Sequence, residues 1–236
     1  LISPLTLVVH ELQGEAVSLS AFAFSTLPPF LTALVFFGLG SGLYREEDLF
    51  AQRSLPGKVL DALAVPISRP AHVGAMTIVL IPFVFVLQLL AIALLFALGS
   101  ISIVLILIVV AVLEEVVKSL HVYAAYDHTR FERTTRVATA LGIASGVGFF
   151  IGEKIALLAQ LVGLPELAIA EAGLMGGIVE GPILLGFLLA PLALHVVTAT
   201  LSAVGASRGR RYYLLGLSLA IITHLVYNLA VVMTVA

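Results

Sequence analysis

Cysteine and tryptophan are absent from the 236-residue chain, and Asp, Glu, Lys and Arg together make up only 11% of it. Without cysteine there is no disulfide framework, no thiolate nucleophile and no thiolate metal ligand. Any metal must be held by His, Glu, Asp, Asn or water. The scarcity of charge also excludes a soluble fold, because 61% hydrophobic residues and a mean hydropathy of +1.16 belong to a polytopic membrane protein. Nothing supports a nucleic-acid partner: the formal net charge is −2, and its distribution says more than its sum. Residues 1–17 lack the basic start of a signal peptide, and a first residue Leu1 rather than Met leaves room for an upstream segment.

What the chain has instead is long apolar runs. Taking ~20 apolar residues as one crossing of the hydrocarbon core, six transmembrane helices are expected at about 18–43, 73–98, 101–123, 137–162, 182–205 and 212–235. The fold class is therefore an all-α polytopic membrane bundle forming one domain over 1–236. Pro28-Pro29 is expected to kink the first segment. The 44–72 loop mixes Arg45, Glu46, Glu47 and Asp48 with Leu49, Phe50, Leu60 and Leu63, which predicts a short amphipathic surface helix interrupted at Pro56-Gly57. The Gly-rich stretch 163–181 reads as an external or re-entrant loop, and no internal repeat is visible.

Basic residues set the orientation. Arg45, Arg53, Lys58 and Arg69 lie in the first loop, Arg130, Arg133 and Arg136 in the third, and Arg208, Arg210 and Arg211 in the fifth. Glu11, Glu15, Glu166, Glu171 and Glu180 fall in the alternate segments, which carry no Lys or Arg. By the positive-inside rule both termini are expected outside the cytoplasm. Tyr44, Tyr123, Tyr126, Tyr212 and Tyr213 cluster at the same helix ends as the arginines, as rings at a headgroup boundary do. The arginine groups read as topology signals and anionic-lipid contacts.

Once interfacial charges are set aside, Glu114, Glu115, Lys118, Glu153, Lys154, His195, His224 and Asn228 remain within the last four spans. An acidic residue at mid-membrane costs ~2.5–3.5 kcal/mol on insertion scales, so such groups persist where they face protein, a water-filled cavity or a metal. At ~1.5 Å per residue, Glu114, His195 and His224 lie roughly 13, 15 and 18 Å from the basic ends of their helices. They share a depth near the midplane. Glu153, about 25 Å along its helix from Arg136, reaches that depth only if the helix tilts or its first turns are interfacial.

Helical spacing explains the local pairs. Lys118 is i+4 from Glu114 and i+3 from Glu115, so it can neutralise either and snorkel outward. His224 and Asn228 share a face at i,i+4, and Phe149 sits one turn before Glu153. A lone intramembrane histidine is more often an interhelical hydrogen-bond donor than a ligand. Two histidines with three carboxylates and an amide instead suit Zn²⁺ or another divalent ion bound through N and O. A remaining carboxylate can then take a proton from water, and peptide hydrolysis is a natural use of that chemistry. Gly142, Ala144, Ser145, Gly146 and Gly148 either let the fourth helix approach a neighbour or line a water passage, packing being the simpler reading. His10, His72, His121 and His128 read as non-catalytic.

These residues form motifs. Glu114-Glu115-Val116-Val117-Lys118 fits EExxK, Phe149 to Glu153 fits FxxxE, His195 stands alone, and His224 to Asn228 fits HxxxN. In order and spacing over 114–228 they resemble the PrsW-type intramembrane proteases. That type lies within the superfamily of the type II CAAX prenyl endopeptidases and the bacteriocin-processing and immunity proteins. FxxxE resembles the PrsW type, whereas prenyl endopeptidases have FxxxH, and Asn228 stands where PrsW-type members can have Asp. The resemblance covers the motif helices, 101–235, and leaves the first two helices without a motif.

The resemblance implies an intramembrane endopeptidase acting on a membrane-anchored protein, as PrsW-type enzymes act on anti-sigma factors, in the plasma membrane of a prokaryote. By carry-over Glu114 activates water, and Glu115 supports it through Lys118 or shares the role. Glu153, His195 and His224 hold the metal or the water, and Asn228 assists or stabilises the oxyanion. Metal dependence is the expectation, with a glutamate mechanism lacking a tightly held ion as the other form. Two other classes stay open: a non-enzymatic scaffold or chaperone on the same fold, and an ion- or proton-coupled transporter using the same groups as a relay.

Overall fold

A computed structural model describes residues 12–14, 26, 30–38, 40–41, 54–99, 102–162 and 182–235, and all regular structure among them is helical. The elements are α1 (Leu55–Ala64), α2 (Pro70–Ala97), α3 (Ile103–Asp127), α4 (Thr135–Val162), α5 (Pro182–Ser207) and α6 (Arg210–Val235). Helices thus occupy the five segments expected from 73 onward. Of the expected 18–43 helix, residues 30–38 are helical and much of the rest lies outside the described residues, as do His10, residues 44–53 and the 163–181 loop.

Four of these helices are long and apolar enough to cross a membrane, over Pro70–Ala97, Thr135–Ala156, Leu189–Ser207 and Arg210–Met233. The pattern of exposure is inside out. Leu94, Leu215, Ile222 and Val226 are exposed, whereas Glu115, Lys118, His121, Ser145 and Thr198 are fully buried. In water that would forfeit the main driving force of folding, but in lipid apolar tails lie against apolar side chains and polar groups join the helices.

Helix boundaries follow from local chemistry. Ser102 caps α3, its Oγ accepting from the Leu105 N–H at 3.3 Å, and Pro70 opens α2 where an N–H would be unpaired. The same rule corrects the expectation for Pro56-Gly57. Proline in a first turn has no intrahelical bond to lose, so Pro56 begins α1 instead of breaking it. α3 ends in a Schellman motif, with Arg130 N–H on Ala125 O at 2.9 Å and Thr129 N–H on Tyr126 O at 3.1 Å. Thr129 occupies its left-handed position at φ 52°, a conformation that a β-branched residue rarely adopts.

α3 is the central helix, touching α1, α2, α4, α5 and α6, while α4 packs most extensively on α5 and α2. Glycines set both of those α4 contacts. A Cβ on Gly142 would overlap the Thr200 backbone and one on Gly146 would meet His195 O at 2.5 Å, both on α5. On the other side Gly148 lies against Gly74 and Gly152 against Ile81, both on α2. The small residues of α4 therefore serve helix packing, and they hold α5 close enough for His195 to reach α4.

Two tyrosines depart from the boundary role expected of them. Tyr126 and Tyr213 point into the bundle, where Tyr213 stacks on Tyr123 at 4.5 Å and its hydroxyl lies 2.9 Å from Ser119 Oγ. Tyr212 is exposed.

Candidate functional site

The intramembrane acids and imidazoles meet around Lys118. Its ammonium is fully buried and donates to Glu115 Oε1 at 2.5 Å on its own helix, and to His195 Nδ1 at 3.0 Å and Thr198 Oγ1 at 3.3 Å on α5. Three partners use all three N–H donors of a lysine. Lys118 does not snorkel outward, as its spacing allowed; α5 offers it acceptors inside the bundle. It chooses Glu115 over Glu114, and the Phe149 ring lies 4.7 Å from its nitrogen.

Proton counting then orients both histidines. His195 Nδ1 faces a donor, so its proton sits on Nε2, which donates to Glu153 Oε2 at 3.0 Å. Glu153 and His195 thus meet across α4 and α5, which the sequence allowed if α4 tilts or its first turns are interfacial. Phe149 packs on the same imidazole, ring centroids 4.8 Å apart. On α6, His224 Nδ1 donates to Glu115 Oε1 at 2.6 Å, which leaves its Nε2 lone pair 3.6 Å from Glu114 Oε2. The two imidazoles meet edge to face, 5.6 Å between centroids.

Three carboxylates, Glu114, Glu115 and Glu153, face the Lys118 ammonium, and Lys154 adds a second positive charge near Glu153, so one negative charge remains for a proton or a cation to balance when all three are ionised. Glu115 Oε2 is buried with no hydrogen-bond partner among the described residues. Lys154 lies beside Glu153 in sequence, with its nitrogen 5.4 Å from the Phe150 ring.

Ligand atoms of Glu114, His195 and His224 lie within 4.8 Å of one another. One carboxylate and two imidazoles form a donor set that suits a divalent ion. His224 is prepared for that role, since Glu115 holds its far nitrogen as an outer carboxylate does in metal sites. His195 has both nitrogens engaged and would ligate only by giving up Lys118 or Glu153. The converging set also differs from the expected Glu153, His195 and His224, for Glu114 takes the place of Glu153, which holds His195 instead.

Asn228 lies one turn beyond His224, partly buried, and its side-chain amide makes no hydrogen bond among the described residues. His121 belongs to a separate buried cluster, with Nε2 3.0 Å from Thr77 Oγ1, which is 3.2 Å from Ser145 Oγ, and this ties α2, α3 and α4 together. His128 lies outside the site, 2.5 Å from Asp61 of α1, and His72 bonds Ser68 and Pro66 near the start of α2.

Two contributors escaped the sequence reading. Thr198 follows His195 by three residues and so shares its face. Gln88 of α2 donates from Nε2 to Glu114 Oε1 at 3.0 Å. Its signal was present, as the single polar side chain between Phe83 and Leu98. Compared with known protein families, with curated proteins and with solved structures, the chain matches none.

Proposed function

We propose that this chain is an intramembrane endopeptidase that hydrolyses a peptide bond in a membrane-anchored protein, with Glu114 as general base. The observation that carries the reading is a pair of acceptors, Glu114 Oε2 and His224 Nε2, that face each other at 3.6 Å and have no other hydrogen-bond partner among the described residues. Two acceptors at that distance do not bond to each other, but one water can bridge them. Glu114 takes a proton from that water as its oxygen attacks the scissile carbonyl carbon, and returns it to the leaving nitrogen when the C–N bond breaks. Asn228 is the candidate donor to the oxyanion. Glu115 and Lys118 set the tautomers of both histidines.

The motif resemblance to PrsW-type proteases supports the same reading, and with it a multi-pass topology in which the Arg130–Arg136 and Arg208–Arg211 ends are cytoplasmic. In the metal-bound form of this reading a divalent ion such as Zn²⁺ on Glu114 and His224, with His195 after release of one partner, would supply Lewis-acid activation of the water, and Glu114 would then serve as a ligand instead of the base. The test is cleavage of a co-expressed membrane-anchored substrate: Glu114→Gln is expected to lose about 10²–10⁴-fold in rate with insertion intact. Undiminished cleavage refutes the role of Glu114.

A scaffold is the second reading, favoured by one observation: Lys118, His195 and Glu153 form a closed hydrogen-bonded chain, as a purely structural network would. A scaffold predicts that Glu114→Gln leaves every cellular function of the protein in place.

A further inference from the structure

Glu114 stands apart from the other two acids of the cluster in what holds it. Glu115 is held by Lys118 and His224, and Glu153 by His195, all on the motif helices. Glu114 is held by Gln88, on a helix that carries no motif residue. The terminal torsion of a glutamate is broad and nearly two-fold, so its own rotamer preference does not decide which oxygen faces a reactant. A donor on one oxygen does decide it. With Gln88 Nε2 on Oε1, the oxygen presented to His224 is Oε2.

The placement of Gln88 argues the same way. Its neighbours Leu89 and Leu90 are exposed, and the run around it is wholly apolar, so an amide here carries a desolvation cost that its bond to Glu114 offsets. We propose that Gln88 is a positioning residue for Glu114, fixing the carboxylate through Oε1 so that Oε2 is aimed at His224 and the attacking water. This rests on the proteolytic reading, and it adds α2 to a site otherwise built from α3 to α6.

The experiment pairs substrate cleavage with infrared spectroscopy, the Glu114 carboxylate band being the one lost in Glu114→Gln. Gln88→Met keeps the length and apolar fit of the side chain and removes the donor. It is expected to move that band and to lower kcat roughly tenfold or more, with KM changed less than about twofold. Gln88→Leu, different in shape but equally without a donor, must reproduce both effects. If the two variants diverge, packing controls the result and the proposal falls. An unmoved band in both also overturns it, whatever the activity. If the unaltered protein cleaves nothing while the band still moves, the proteolytic reading fails and the positioning of Glu114 stands.

Discussion

Lys118 Nζ lies 2.5 Å from Glu115 Oε1, one helical turn earlier, and neither side chain reaches solvent or lipid. Removing one member of such a pair leaves the other charged and buried, which costs about 3–5 kcal/mol, whereas removing both together can be nearly neutral. Lys118→Met is therefore expected to destabilise the protein in detergent by about 3–5 kcal/mol, and Lys118→Met with Glu115→Gln by much less. Equilibrium unfolding of the two singles and the double gives the coupling. Additive effects would mean that the pair does not act as a unit.

Gly146 sits where α4 meets the backbone of His195 itself. A methyl there would lie 2.5 Å from His195 O, so α5 must move away. Gly146→Ala is expected to cost about 1–3 kcal/mol, as overpacking does, and to lengthen the His195–Glu153 bond. Gly38, with nothing within 4 Å of a Cβ among the described residues, is the control. There the same change is expected to be neutral or to stabilise by up to about 1 kcal/mol through helix propensity. Thermal unfolding of both variants decides between steric contact and a general effect of glycine.

How much of this was legible in the sequence follows the same physics. Long apolar runs mark crossings, and a fixed rise per residue converts position into depth, so the four motif helices and the common level of Glu114, His195 and His224 were readable. Rotation about each helix was not. The lipid face and the packed face of such a helix are both apolar, so hydrophobic periodicity does not say which way Tyr126 or Tyr213 points. Nor does spacing say which glutamate Lys118 takes, because i+3 and i+4 are equally in reach and the acceptors on α5 decide. Gln88 was visible as an isolated amide, but a neutral group signals its role less loudly than a buried charge.

Thr129 holds the left-handed position that ends α3, with φ 52°. L-residues with a Cβ lose about 1–2 kcal/mol there and glycine does not. Thr129→Gly is expected to stabilise the protein by up to about 1 kcal/mol, less than the full relief because glycine also raises the entropy of the unfolded chain. A higher unfolding midpoint in detergent supports this, and an unchanged or lower one shows that the threonine conformation is not strained. The site lies several turns away, so cleavage by the variant should match that of the unaltered protein.

The donor set of Glu114, His195 and His224 yields the prediction that reaches furthest into mechanism. Their ligand atoms already lie within 4.8 Å of one another, a spacing that one divalent cation could bridge. Among the described residues His224 Nε2 makes no hydrogen bond, while His195 must first give up one, so the two should contribute unequally to metal affinity. Zn²⁺ titrated into chelator-treated protein is expected to bind at one site per chain. His224→Ala should weaken it by more than a hundredfold, since it removes a ligand whose outer-shell partner alone is worth about 10–100-fold. His195→Ala should weaken it less than His224→Ala does. Equal losses from both would mean that His195 is released from Lys118 without cost, and no measurable binding by the unaltered protein would leave Glu114 acting on water without an ion.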